Sequence, residues 1–168
     1  MRAAVTGTPG VGKTTATDHV ETDLEVIHLN DLVREAGLTE GTDEERDSLV
    51  VDIEAVADRL DGLDDVYVES HVSHHLDVDR VIVLRCSPEQ LEERLLERGE
   101  PPEKASENAE AEALDVILSE AVDRHGLSSV YEIDTTDRTP AVVARDIEAV
   151  LENEREPSAG TVDFTGYL

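Results

Sequence analysis

The stretch Thr6–Thr15, TGTPGVGKTT, constrains the fold of this chain more than any other. Glycine and proline at that density exclude a packed strand or a regular helix, because glycine loses too much freedom on ordering and proline lacks a backbone donor. The preceding residues, Arg2–Thr6 (RAAVT), read as a buried strand, and a helical pattern runs from about Lys13 to Val20. A strand, a glycine loop and a helix in that order place the loop at the end of a sheet.

The rest of the chain keeps the same rhythm. Strands are expected at Glu25–Leu29, Asp65–Ser70, Arg80–Arg85 and Val130–Asp134. Helices are expected at Glu44–Leu60, from Pro88 with Ser87 as cap and Gly99 beyond the end, over Lys104–Arg124, and from Pro140 with Thr139 as cap. Leu49, Ile53, Val56 and Leu60 share one face at helical spacing. The tail beyond Asn153 is weakly patterned, either an extended packed arm or loose. Alternating strands and helices predict one α/β domain, a three-layer sandwich with a central parallel sheet and helices on both faces.

Composition sharpens this. Of 168 residues, 39% are hydrophobic but only 2% aromatic, so the core is built from Val, Leu, Ile and Ala. Forty-one acidic against 14 basic residues give a formal net charge of −27, spread along the whole chain. With only two lysines, Lys13 and Lys104, this pattern reads as a surface adapted to high salt. Such charge opposes non-specific binding to a nucleic-acid backbone. Cys86 is the one cysteine, which excludes an internal disulfide, and it reads as a small core residue. No secretory leader and no membrane-spanning run is evident, so a cytoplasmic protein is expected.

Gly7–Thr14 fits G-x-x-x-x-G-K-[ST] between a strand and a helix. The pattern has a physical reason. Glycines let successive N–H groups converge on phosphate oxygens, and the new helix points its positive end the same way. Lys13 reaches the outer phosphates, and the Thr14 hydroxyl is suited to Mg2+. The expected ligand is a nucleoside triphosphate with Mg2+. A carboxylate at the end of a parallel strand, Glu69, falls where a ligand crevice opens.

The loop, together with LNDLVREAGL (Leu29–Leu38), DEERDSLVVD (Asp43–Asp52), ESH (Glu69–His71) and ERGEPPEKASENAEAE (Glu97–Glu112), resembles the adenylate-kinase-like ATPases. That family includes the human coilin-interacting nuclear ATPase and archaeal counterparts. The resemblance implies a P-loop NTPase fold of nucleoside-monophosphate-kinase type. It also implies that Gly10, Gly12, Lys13, Thr14 and Thr15 bind the phosphates of ATP and the Mg2+, with a monophosphate-binding flap at about 28–51 and a short lid at about 98–108. Arg34 would bind the acceptor phosphate, with Arg46 as the other flap arginine; on residue pattern alone, Arg34 is equally an exposed helix residue pairing with Asp31 or Glu35. Glu69 and His71 would organise Mg2+ or an attacking oxygen, although the family often has Asp-x-His where this chain has Glu69-Ser70-His71. Arg98 would bring the lid onto the transferred phosphoryl group, and Pro101 and Pro102 set that lid apart.

The implied activities are adenylate kinase (ATP + AMP giving two ADP) with broad monophosphate specificity, and ATP hydrolysis. The implied partners are AMP, a small-subunit ribosomal protein and, indirectly, precursor rRNA in small-subunit maturation. An ATP-hydrolysing assembly switch with little kinase activity is the alternative, and a small-metabolite kinase finds no acceptor residues here. His71, His74 and His75 are spaced closely enough to raise a metal site. Without cysteine, a solvated turn is the expectation.

Overall fold

The computed structural model describes residues 1–43 and 48–168. Five strands form one parallel sheet: β1 (Arg2–Thr6), β2 (Glu25–His28), β5 (Val66–Glu69), β6 (Arg80–Arg85) and β7 (Val130–Asp134), in the order β2-β5-β1-β6-β7. The seven α-helices of the described residues are α1 (Lys13–Thr17), α2 (Leu29–Ala36), α3 (Ile53–Leu60), α4 (Pro88–Glu97), α5 (Pro102–Ala113), α6 (Val116–His125) and α7 (Pro140–Leu151). A two-stranded antiparallel ribbon, β3 (Thr39–Asp43) with β4 (Ser48–Val51), stands apart from the main sheet.

Strand alternation sorts the side chains to the two faces. Ala3, Val5, Tyr67, Ile82 and Leu84 meet Leu91 and Leu95 of α4 and Val143 and Ile147 of α7. On the opposite face Val68 packs with Leu29, Val33, Val56 and Leu60 from α2 and α3. There too, Val81 and Val83 pack with Leu118 and Ala121 of α6. The three-layer α/β architecture expected from the alternation is therefore present.

Three boundaries differ from expectation. The helix placed at Glu44–Leu60 begins only at Ile53, because Asp52 takes an extended conformation and its carboxylate accepts the Ala55 N–H at 3.0 Å. Residues Ser48–Val51, ahead of that cap, pair as β4 instead; residues 44–47 lie outside the described residues. The helix placed at Lys104–Arg124 is two, because Asp115 adopts a left-handed backbone (φ 56°) that ends α5 and redirects α6 beneath β6. The first helix stops at Thr17, where the chain tightens into i→i+3 turns through His19 and Val20.

The tail packs rather than hanging loose. Gly160 and Thr161 donate backbone N–H groups to Glu132, Ser158 donates to its carbonyl, and the Tyr167 hydroxyl donates to Glu92 at 2.8 Å. No described helix is long and apolar enough to cross a membrane.

Candidate functional site

Parallel pairing brings three strand ends together. Val5 of β1 stands opposite Glu69 of β5, and Glu69 stands opposite His28 of β2. The glycine loop leaves β1 at this edge, where ligands bind in open α/β sheets. Gly7 is held under β6: a Cβ there would lie 2.7 Å from the Leu84 carbonyl oxygen. Gly10 has φ 96°, and a Cβ would lie 2.8 Å from Leu91 and 2.9 Å from Leu95, so α4 packs directly on the loop. Gly12 caps α1 in the left-handed region.

Lys13 Nζ donates to the carbonyls of Gly7 (2.8 Å) and Thr8 (3.2 Å). Burial lowers its pKa to about 8, against the opposing pull of Glu69 and Glu112. The ammonium is thus pinned across its own loop.

Thr14 Oγ1 lies 3.4 Å from both oxygens of Glu69. That is long for a hydrogen bond, and it leaves a hydroxyl and a carboxylate facing one small gap. Hard oxygen donors at a helix start suit Mg2+, which keeps several of its own waters. His28 Nδ1 shares a 2.9 Å hydrogen bond with Glu69 Oε2 and fixes the carboxylate's orientation. The side chain of Glu69 is only 7% exposed, so its charge is kept in place by neighbours rather than by water.

Lys13, Thr14 and Glu69 line one cavity of about 660 Å3, which also receives Gly10, Gly12, Thr15, His71 and Arg98. Burial and the nearby Lys13 charge lower the pKa of His71 to about 4, so its imidazole is neutral at physiological pH. Arg34 is not among the lining residues: it sits on the exposed face of α2, and the same helix contributes Asn30. Arg46 lies outside the described residues. The segment 98–108 is mostly helical. Only Arg98–Pro101 lies between α4 and α5, with the N–H groups of Arg98, Gly99 and Glu100 bonded back to carbonyls of α4, and Ala105 is fully buried.

Four lining or supporting residues escaped the sequence reading. Arg94, one turn before Arg98, reaches the Val11 carbonyl at 3.4 Å and Gln90 at 2.9 Å. Its four-residue spacing from Arg98 was the available signal. Arg138, anchored by Asp146 at 2.5 Å, enters from the turn before α7. His28 was visible only as the end of a strand, and Glu112 was hidden among the many glutamates of α5. Cys86 is buried in the core, as expected. The solvated histidine turn is a correction: His71 faces the cavity and His74 is 1% exposed, sealed between β1 and α6.

A glycine loop wrapped over the start of a helix, fed by the central strand of a parallel sheet and faced by a strand-end carboxylate, defines a P-loop NTPase fold. Residues 4–115 match the family described as an AAA domain, and the chain belongs to that family. It is 66% identical over 168 residues to a Natronomonas pharaonis protein described as "Putative adenylate kinase", with both chains covered in full. It is 61% identical over 169 residues to a Halobacterium salinarum protein of the same description, again with full coverage of both. A Methanothermobacter thermautotrophicus protein so described is 47% identical over 98% of this chain and 97% of that one. Among solved structures, a sulfotransferase from Alicyclobacillus acidocaldarius superposes with a TM-score of 0.53 at 16% identity, covering 95% of this chain and 85% of that one. That likeness concerns the fold alone.

Proposed function

We propose that this protein is a Mg2+-dependent nucleotide kinase that moves the terminal phosphoryl group of ATP to a nucleoside monophosphate, with AMP as the reference acceptor. The observation that carries the reading is the convergence of Lys13, Thr14 and Glu69 at the open edge of β1 and β5, with Arg98 lining the same cavity. The description shared by the archaeal relatives supports it.

Each residue has a definable task. Backbone N–H groups from Gly10 to Thr15 hold the phosphates, and Lys13 neutralises charge as the phosphoryl group leaves its donor oxygen. Thr14 would ligate Mg2+ and Glu69 would hold the ion through its water. The ion, when bound, neutralises charge shared between the outer phosphates. Arg98, at the turn between α4 and α5, closes on the transferred group and excludes water. His71, neutral, offers a hydrogen-bond acceptor and donor without adding charge.

The acceptor side is sparse, and this favours a second activity. Among the described residues, α2 contributes Asn30 rather than Arg34 to the cavity. With no arginine from α2 in the cavity among the described residues, the acceptor side tolerates several monophosphates and, before Arg98 closes, admits water, so ATP hydrolysis accompanies transfer. The role in small-subunit rRNA maturation, through a ribosomal protein, is supported by the family resemblance alone. Chromatography of products from Mg2+ and ATP with AMP, CMP, UMP or GMP tests the kinase reading. Lys13→Ala is expected to lower transfer by about 100- to 1,000-fold. Transfer that survives this substitution contradicts the site.

A further inference from the structure

The histidine pair that the nucleotide cavity does not use meets a carboxylate on the other face of the sheet. His74 and His75 close the short turn after β5 (a single 3-10 turn over Ser73–His75), and Glu120 projects from α6. His74 Nε2 lies 2.8 Å and His75 Nε2 lies 3.2 Å from the same oxygen, Glu120 Oε2. All three donor atoms fall within 4.8 Å of one another. We propose that His74, His75 and Glu120 form a binding site for a borderline divalent transition-metal ion of the Zn2+ class, separate from the Mg2+ position at Thr14 and Glu69.

Three observations carry this beyond a chance cluster. First, His74 is oriented from behind. Its Nδ1 stands 2.8 Å from the hydroxyl of Thr6, so the tautomer with Nδ1–H donating to Thr6 turns the Nε2 lone pair toward Glu120. A ligating histidine held by a hydrogen bond on its other nitrogen is the usual arrangement around zinc. Second, the turn itself is fixed: His125 Nε2 donates to the His74 carbonyl at 2.7 Å, and Ser73 donates its hydroxyl to the carbonyls of Val5 and Ser70. The two imidazole rings sit 4.2 Å apart and tilted by 39°, presenting their edges to one point.

Third, burial is graded as an ion site requires. His74 is sealed, while the side chains of His75 (40% exposed) and Glu120 (42%) leave a way in and room for a water as fourth ligand. Ligand atoms of a tetrahedral zinc ion with bonds near 2.0 Å are about 3.3 Å apart. The two nitrogen-to-oxygen spacings, 2.8 and 3.2 Å, come close to that with a shift of about half an ångström at the partly exposed Glu120, and the histidine donor atoms already lie within 4.8 Å of each other. Two imidazoles with one carboxylate exclude Mg2+ as the resident ion, since it prefers oxygen alone. The ion would staple α6 to the turn after β5. Because Thr6 immediately precedes the glycine loop, that staple also braces the strand feeding the nucleotide site.

The test uses the full chain, freed of metal by a chelator and titrated with Co2+ in buffered KCl. The expected result is one equivalent bound with the intense visible bands of four-coordinate Co2+, displaced by Zn2+, with a rise in thermal midpoint. His75→Ala and Glu120→Gln, both at partly exposed positions, are expected to keep the metal-free midpoint and to weaken binding at least about tenfold. Only the faint bands of six-coordinate Co2+ in the wild type, or binding unchanged in His75→Ala, would show cations adsorbed by the acidic surface and overturn the proposal.

Discussion

The hydroxyl of Thr8, inside the glycine loop, donates to Oε1 of Glu112 near the end of α5 at 3.2 Å. That carboxylate also accepts the Cys86 N–H at 2.9 Å and Arg85 Nε at 3.2 Å. Arg85, fully buried, meets Glu132 at 2.8 Å and Asp115 at 2.6 Å. Glu132 in turn accepts the backbone of Gly160 and Thr161, and the Arg85 guanidinium lies 5.4 Å from the centre of the Phe164 ring. One hydrogen bond thus connects the phosphate loop to a buried ionic cluster and, through it, to the tail.

Breaking the cluster and releasing the loop have separable effects. Glu112→Ala leaves Arg85 short of a buried partner and the Cys86 N–H without an acceptor, and is expected to cost about 3–5 kcal/mol of stability. Thr8→Val removes only the loop contact, so stability falls by about 1 kcal/mol while ATP affinity drops. Denaturant unfolding and nucleotide titration of both variants check the distinction.

In the proposed role, Lys13 gives nucleotide binding a pH limit. Its pKa near 8 means that the ammonium loses its proton as pH rises through that value, and the anionic phosphates then lose their cation. ATP affinity is expected to hold below pH 8 and to fall above it by up to about tenfold per pH unit. In Lys13→Arg the guanidinium stays charged and the decline disappears. Equilibrium titration between pH 6 and 9.5 reads this directly.

His71 behaves in the opposite range. With a folded-state pKa near 4 and an ordinary unfolded value of 6.5, the unfolded chain binds more protons between those limits. Stability from this group is therefore complete above pH 6.5 and is lost as pH falls toward 4. His71→Asn is expected to flatten that acid limb in denaturant midpoints measured from pH 4 to 7. In wild-type turnover, His71 should produce no inflection between pH 5 and 8.

The net charge of −27 on 168 residues makes folding depend on salt. Screening of self-repulsion is expected to raise the thermal midpoint steeply as KCl goes from tenths of molar to molar concentration. A flat midpoint across that range contradicts salt adaptation. The relatives from Natronomonas and Halobacterium share this chain's full length, which makes them suitable companions in the same measurement.

The parts of this fold that were legible in the sequence are those governed by local chemistry. The glycine loop, the Ser87 and Thr139 caps and the Val-rich strands announce themselves because each depends on residues a few positions apart. The break at Asp115 did not, since helix propensity continues through it; the left-handed turn is explained by its carboxylate reaching Arg85, 30 residues earlier in the chain. The ribbon at β3 and β4 was hidden for a similar reason, because Leu49 falls in phase with Ile53, Val56 and Leu60 although the Asp52 cap separates them. Of the candidate site residues expected from motif and order, Lys13, Thr14, Glu69, His71 and Arg98 come to line one cavity, while Arg34 does not. Their neighbours His28, Arg138 and Glu112 depend on tertiary contacts that no spacing records, and Arg94 alone carried a local signal in its four-residue spacing from Arg98.

The central claim is tested most directly by ADP production from Mg2+ and ATP in molar KCl, with and without AMP, for the wild type and His71→Ala. A kinase built on this site predicts a large AMP-dependent rate that survives the His71 substitution, with two ADP formed per ATP consumed. Slow turnover that ignores AMP and is lost with His71 would contradict it and leave ATP hydrolysis as the activity of the cavity.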